Sequence, residues 1–227
     1  TKKLTGEQQR LVWLYYSNFV REGAKADAKS KVRIAKINEE LASLFTKFSQ
    51  NQLADESNYY LELKSEADFD GLPQELKNAA MSDAKERKLN VMGVIANTRS
   101  SIEPFLTFSN RRDLREKAFQ IFTSRGDNGN ATDNNATLVQ ILKLRAEKAK
   151  LLGFKTFADW SLSNTMAQKP EKTLDLMMSV WTPAVEKVHA DVAEMQKMAD
   201  AEGGTSSGLN MTEKFKISPW DYRYYSE

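Results

Sequence analysis

The residue types that could carry out catalysis are few in this sequence of 227 residues. Hydrolysis by zinc needs imidazoles or carboxylates that converge on one metal ion and leave a position open for water. The sequence has a single histidine, His189, and it has no cysteine. We therefore interpret His189 as an ordinary residue on the flank of a helix, and we predict no catalytic residue and no metal site in this chain. A serine or threonine nucleophile would also lack a partner base, because His189 is the sole imidazole.

Two stretches could instead bind a ligand. The Gly- and Asn-rich loop over 126–135 precedes a predicted helix, a position that suits phosphate. It lacks a Gly-Lys-Ser/Thr ending and a parallel-sheet pattern, which favours a structural turn. The stretch 220–225 places large aromatic residues around an aspartate and an arginine, and four of its residues are candidates for lining a substrate cleft: Trp220, Asp221, Tyr224 and Tyr225. The same residues could be the first turn of a helix packed onto this domain, and we weigh that packing role above the cleft role.

Composition and charge favour a folded protein and argue against a nucleic-acid-binding or membrane-spanning one. Hydrophobic residues make up 41% of a 25.8 kDa chain, which is enough to form a core. The 33 basic and 31 acidic residues are interleaved along predicted helices, so we predict solvated helix faces and no nucleic-acid partner. No apolar run approaches membrane-spanning length, and the N-terminus does not resemble a signal peptide. The sequence does not decide the cellular compartment. The protein is cytoplasmic or, if a signal peptide has been removed, periplasmic or exported.

The elements that must position these residues are mostly helical. Apolar residues at three- and four-residue steps predict an N-terminal αα-hairpin with a buried aromatic stripe, formed by Trp13, Tyr15, Tyr16 and Phe19. A helix is predicted to begin after Asp133 or Asn134, and the same period places six of its residues on one inner face: Leu138, Ile141, Leu142, Arg145, Ala149 and Leu152. The longest helix begins at Pro170 and is predicted to kink near Trp181 because of Pro183.

Specific residues predict where the helices begin and end. Thr5 with Gln8 forms a capping box, and Thr156 caps a short helix. Gly153 is the predicted left-handed residue at a helix C-terminus. Gly203–Gly204 stops the long helix, and the residues after it, 205–208, have the composition of a linker.

Two short segments, about 59–63 and 89–95, break the helical period with residues that favour strands. We predict that they pair as a ribbon, because either strand alone would leave its backbone groups unpaired. The predicted fold class is therefore mainly α, a multi-helix array of long antiparallel helices with a small β ribbon. We divide it into a helical portion over 1–204 and, over 205–227, a linker with the start of a further segment.

The order of motifs from Arg125 to Pro170 resembles a known family. An Arg-Gly loop rich in Asp and Asn is followed by LRAEKAKLLGF, then by a Phe-Ala-Asp-Trp helix, then by Met166-Ala167 and Pro170. This pattern resembles the thimet oligopeptidase and oligopeptidase A family of zinc metallopeptidases, and within it the chain is most similar to bacterial peptidyl-dipeptidases. The resemblance covers nearly the whole chain.

The resemblance implies hydrolysis of short peptides in a deep channel between two mostly helical lobes, with zinc-bound water as the attacking group and a Glu as the base. The family's His-Glu-x-x-His motif is not in this sequence, so we carry over no catalytic residue and expect zinc only in the full-length parent. We expect a fragment from the N-terminal-to-middle part of such a peptidase, which forms a channel wall, packs against the missing catalytic portion and is inactive alone. The alternative is a non-catalytic helical protein-binding module that is complete as it stands.

Overall fold

The computed structural model describes residues 4–202 and 215–226, so the predicted helix stop at Gly203–Gly204 and the linker-like tract over 205–208 lie outside the described residues. Within those ranges the fold is mainly α, as predicted. Its elements in chain order are α1 (Gly6–Arg21), α2 (Ala28–Asn58), β1 (Tyr60–Leu63), a 3-10 helix (Glu66–Phe69), α3 (Gln74–Glu86), β2 (Gly93–Ala96), α4 (Arg99–Phe108), α5 (Arg112–Thr123), α6 (Asn135–Leu151), α7 (Phe157–Leu162), α8 (Pro170–Ala201) and α9 (Tyr222–Tyr225). No helix of the described residues combines the length and the apolar character needed to cross a membrane.

The chain forms two compact units, and each unit combines two separate stretches of sequence. Unit 1 consists of Thr1–Phe48 and Asn135–Val180, and unit 2 consists of Ser49–Asn134 and Trp181–Glu227. Helices α2 and α8 therefore each begin in unit 1 and end in unit 2. The chain passes between the units three times.

The core of unit 1 lies between α2 and α6. Ile37, Leu41 and Ile141 are buried there, and Leu44, Leu144 and Leu151 pack against them. The predicted inner face of α6 is only partly right, because Leu138 and Leu142 are exposed. The buried side of α6 instead follows Thr137, Ile141 and Lys148, which are spaced by four and seven residues and so lie on one face of a helix.

The capping predictions are confirmed. The reciprocal Thr5–Gln8 capping box begins α1, and a box of the same kind between Thr156 and Asp159 begins α7. Gly153 has a φ of +83° just after α6, in the left-handed region that glycine tolerates best. Helix α6 begins directly after Asn134, one of its two predicted N-caps.

The prediction that the aromatic residues of α1 are buried is wrong. Trp13, Tyr15, Tyr16 and Phe19 are all more than half exposed, and α1 has no buried residue. Apolar side chains surround this helix, whereas a surface helix normally carries them on one side only, so packing against one neighbour cannot cover them. At its end, Arg21 Nη2 donates to the carbonyl of Trp160 at 2.7 Å, which joins α1 to α7.

Helix α8 shows the same exposure over its first half, where Leu174 and Met177 lie in solvent. It continues through Pro183 to Ala201, and its described C-terminal part buries Met195 and Ala199. The kink that we predict at Pro183 stays a prediction.

Unit 2 is built on the predicted β ribbon. Strands β1 and β2 pair antiparallel, with Tyr60 opposite Ala96 and Leu63 opposite Gly93. The second strand begins four residues later than predicted, because a turn through Arg87 and Lys88 (Lys88 φ +55°) follows α3 and Leu89 N–H donates back to the carbonyl of Ala84. The sheet packs into the largest core cluster, whose buried members include Leu63, Ile95, Ile102, Phe105 and Leu114.

Candidate functional site

The predicted cleft residues lie in the C-terminal segment, residues 215–226, which packs against α5 in unit 2. Asp221 is fully buried and accepts hydrogen bonds from two arginines of that helix. Arg112 Nη2 donates to Asp221 Oδ2 at 2.9 Å, and Arg115 Nη2 donates to Asp221 Oδ1 at 2.9 Å. The backbone N–H of Ser218 donates to the same carboxylate at 3.0 Å. Because Arg112 and Arg115 are three residues apart, both side chains emerge on the same face of α5.

Arg115 is itself fully buried. Its second amino group donates to the carbonyl of Ser109 at 2.6 Å, and its guanidinium carbon lies 4.1 Å from the centre of the Tyr224 ring. Its Nε has no partner among the described residues. Two guanidiniums thus surround one carboxylate, and an aromatic face supplies part of the remaining stabilisation of the charge on Arg115.

Arg112 has aromatic neighbours of its own. Its guanidinium carbon lies 4.3 Å from the ring centre of Phe215 and 5.5 Å from that of Trp220. Trp220 is partly buried against Phe119, with 6.2 Å between the ring centres. The indole therefore contributes to the core of unit 2 and also stabilises the cation on α5.

The two predicted tyrosines differ in burial. Tyr224 is partly exposed, and its hydroxyl donates to Asn110 Oδ1 at 3.0 Å. Burial of the phenol raises the pKa of Tyr224, and the negative charge of Glu202 raises it further. Tyr225 is 4% exposed, and its hydroxyl donates to Glu202 Oε2 at 3.0 Å.

The structure thus brings all four predicted residues together in one aromatic and ionic cluster. The ion pairs of Asp221 with Arg112 and Arg115 hold this cluster against α5. A contact with substrate stays a prediction for Trp220 and Tyr224, whose side chains are partly exposed. Asp221 could act there only by fixing the segment that carries them.

An open groove of about 730 Å³ lies beside this cluster. Two guanidiniums meet one carboxylate there: Arg99 Nε and Arg223 Nη2 donate to Glu103 Oε1 at 3.1 and 2.7 Å. Pro104 and Phe108 also line the groove. The charge of Glu103 is thus paired with both guanidiniums, and the hydroxyl of Thr107, which also lines the groove, donates to the carbonyl of Glu103.

A second polar centre of unit 2, which no sequence pattern predicted, surrounds Asp55 near the end of α2. Asp55 is fully buried and accepts from the backbone N–H of Gly126 at 2.7 Å, from Asn128 Nδ2 at 2.7 Å and from the hydroxyl of Thr132 at 2.5 Å. Burial alone would raise the pKa of Asp55, but these three hydrogen bonds outweigh it and bring the pKa below its ordinary value. The loop is therefore tied to α2, which agrees with its interpretation as a structural turn.

The described residues do not fit a metal ion. Over 4–202 and 215–226, no three His, Cys, Asp or Glu side chains come close enough together to hold one. His189 is exposed on α8.

Comparison with known proteins identifies the family. The model of peptidase family M3 matches residues 105–227, which is over half of the chain. The chain belongs to peptidase family M3. The matched range begins inside α4 of this M3 chain and includes both the cluster around Asp221 and the loop held by Asp55.

Individual relatives match nearly all of the M3 chain. It is 30% identical to a protein named dipeptidyl carboxypeptidase from Salmonella typhimurium, over 224 residues. It is 27% identical to oligopeptidase A from Escherichia coli, over 228 residues. Each alignment covers 99% of this chain and 32% of the relative, so the chain spans about a third of the length of these relatives. An organellar oligopeptidase A from Arabidopsis thaliana is 31% identical, with 99% of this chain and 28% of the relative covered. The resemblance noted in the sequence is confirmed.

Proposed function

We propose that this M3 chain is the helical N-terminal-to-middle portion of a zinc-dependent, peptidyl-dipeptidase-like metallopeptidase that hydrolyses short peptides. One observation carries the proposal: 99% of the chain aligns with a protein named dipeptidyl carboxypeptidase, but accounts for only 32% of it. The zinc ligands and the catalytic base then belong to sequence beyond these residues.

Within that peptidase, the chain's role is to form a wall of the substrate channel and to pack against the catalytic portion. The exposed apolar residues support this role. Trp13 and Phe19 on α1, and Leu174 and Met177 on α8, are at least half exposed in the chain alone. Apolar surface of this extent usually marks an interface. The catalytic portion is the partner we assign to it.

The experiment compares the 227-residue chain with the protein translated from the longer reading frame. Both are analysed for bound zinc and for hydrolysis of a blocked tripeptide and of longer peptides. We expect zinc and turnover in the longer protein, and neither in the chain alone. Stoichiometric zinc with turnover in the chain alone would show that zinc binding and catalysis do not need the sequence outside these 227 residues, and the proposal would be wrong.

The alternative is a non-catalytic binding module, and the exposed aromatic residues of α1 also support it, since a partner protein could cover them. The reading frame discriminates between the two. A stop directly after Glu227 favours the module, whereas continuation into a His-Glu-x-x-His helix favours the peptidase.

The cleft role of the C-terminal segment needs its own test, in the longer protein. Tyr224 is partly exposed and Tyr225 is nearly buried, so the two tyrosines form a matched pair. If the segment lines the cleft, Tyr224→Phe should raise KM for a short peptide while Tyr225→Phe leaves KM unchanged. Equal KM values for both variants and the parent would leave the segment with a packing role alone.

A further inference from the structure

The loop between α5 and α6 contains Asn128–Gly129, the sole Asn-Gly pair in the sequence. An asparagine followed by glycine is prone to attack by the next backbone nitrogen on its own side-chain carbonyl, because glycine has no Cβ to hinder the approach. The proposed peptidase function does not account for this pair.

The surroundings of Gly129 leave room for that reaction. Gly129 is exposed, and a Cβ built on it would meet nothing within 4 Å. Its backbone N–H donates to Asp133 Oδ2 at 3.1 Å. A carboxylate is therefore already within hydrogen-bonding distance of the proton that the attacking nitrogen must lose, which is the geometry required of a general base.

We propose that Asn128 is a site of spontaneous deamidation, and that the acidic product weakens the attachment of the loop to Asp55. In the first step Gly129 N bonds to Asn128 Cγ, the bond from Cγ to Nδ2 breaks, and ammonia leaves with the proton lost by Gly129 N. Water then opens the five-membered succinimide ring at either carbonyl, which gives aspartate or isoaspartate. The sequence consumes one water, releases one ammonia and needs no oxidant or reductant.

The consequence follows from the contact that Asn128 loses. Its Nδ2 donates to Asp55 Oδ2 at 2.7 Å, and the same oxygen accepts from the backbone N–H of Gly126. A carboxylate at position 128 cannot donate, so two negative charges would face each other beside a buried side chain. The loop then loses one of its attachments to Asp55, and the others remain beside the new repulsion.

The same contact controls the rate, because the side-chain amide of Asn128 must leave Asp55 before Gly129 can attack it. Deamidation of the folded chain is therefore slower than that of an unfolded peptide with the same sequence, but it is not abolished.

The first experiment measures the modification. The 227-residue chain is incubated at physiological temperature and mildly alkaline pH, and the peptide that contains residue 128 is followed by mass spectrometry. We expect both aspartate and isoaspartate to accumulate. The control is Gly129→Asn, since asparagine tolerates the left-handed backbone there (φ +62°) and its side chain hinders the attack. The control should convert at least several-fold more slowly, and equal rates in the two proteins would overturn the proposal.

The second experiment measures the consequence with variants that carry the charge from the start. Asn128→Asp should raise the hydrogen-exchange rate of the Gly126 amide by roughly tenfold or more, since that amide shares the affected oxygen of Asp55. Asn130→Asp introduces the same charge two residues away, where the side chain contacts Tyr59 and Thr132 rather than Asp55. It keeps the oxygen that accepts from Thr132, so it should leave that rate unchanged. An equal effect of both variants, or no effect of Asn128→Asp, would overturn the role of Asp55.

Discussion

Replacing Asp221 with asparagine should lower the free energy of unfolding of unit 2 by about 3–5 kcal/mol, the usual cost of breaking a buried ion pair from one side. Asp221 and Arg115 have no exposed side-chain surface, so water cannot take the place of the lost carboxylate. Asparagine keeps one acceptor oxygen but removes the negative charge. The positive charge of Arg115 then stays buried with the Ser109 carbonyl and the face of the Tyr224 ring as its neighbours.

The assay is urea unfolding followed by tryptophan fluorescence, with hydrogen exchange on α5 as a check that the change lies in unit 2. A loss of this size should lower the melting temperature by roughly 10 °C. The matched control is Asp113→Asn, the same change on the same helix. Arg111, the partner of Asp113, retains Asp68, with Nη1 2.6 Å from Asp68 Oδ1, and the Asp113 side chain is 31% exposed. The control should therefore lose about 1 kcal/mol or less. If Asp221→Asn loses no more than the control, the buried ion pair does not hold the C-terminal segment and our reasoning is wrong.

Three further predictions concern other parts of the chain. The pKa of Asp55 lies below its ordinary value of 3.8, so the stability that its charge provides is complete above pH 3.8 and is lost as the pH falls through the folded pKa. In acid titrations of unfolding free energy, Asp55→Asn should therefore show a weaker pH dependence below 3.8, and an unchanged slope would contradict this. Gly71 has φ +79°, and an added Cβ would lie 2.3 Å from the carbonyl oxygen of Phe108. Gly71→Ala should therefore lower the free energy of unfolding by about 2 kcal/mol or more in urea. Gly129→Ala introduces the same kind of backbone strain without the clash, so it should lower the free energy of unfolding by less. Trp13 is exposed, so Trp13→Ser should change the unfolding free energy of this chain by no more than about 0.5 kcal/mol in the same assay. The same change should lower the unfolding free energy of the longer protein by more. Equal effects on both proteins would argue against an interface at Trp13.

Much of the secondary structure could be predicted from the sequence because its signals are local. The capping boxes at Thr5 and Thr156 need only residues three apart, and Gly153 needs only its own backbone freedom. The ribbon could be predicted because two isolated strands need partners, but the start of β2 depends on how α3 ends at Lys88.

The centre of the candidate site was less accessible to sequence analysis. Asp221 was singled out for its aromatic neighbours, whereas its partners Arg112 and Arg115 lie more than 100 residues earlier. Their spacing of three residues was the available signal, but interleaved charges on a helix usually indicate a solvated face. Asp55 gave no signal at all, since its role depends on a loop that follows more than 70 residues later.

The prediction that the aromatic residues of α1 are buried failed for a different reason. Its apolar residues were interpreted correctly as residues that need cover, but that cover is not within the described part of this chain. The periodicity of apolar residues indicates which side chains need to be buried, but it does not indicate which part of the protein buries them.

The interleaving of the two units has a consequence for synthesis on the ribosome. When residue 134 has left the exit tunnel, unit 2 has its sheet and helices α3 to α5 but still lacks Trp181–Glu227, and unit 1 has only its first stretch. Unit 1 can close once Val180 has emerged, so it can finish before unit 2, although the first stretch of unit 2 is made earlier. Arg112 and Arg115 of α5 stay without their partner Asp221 until about a hundred further residues have been translated. A chaperone would be most useful during this interval.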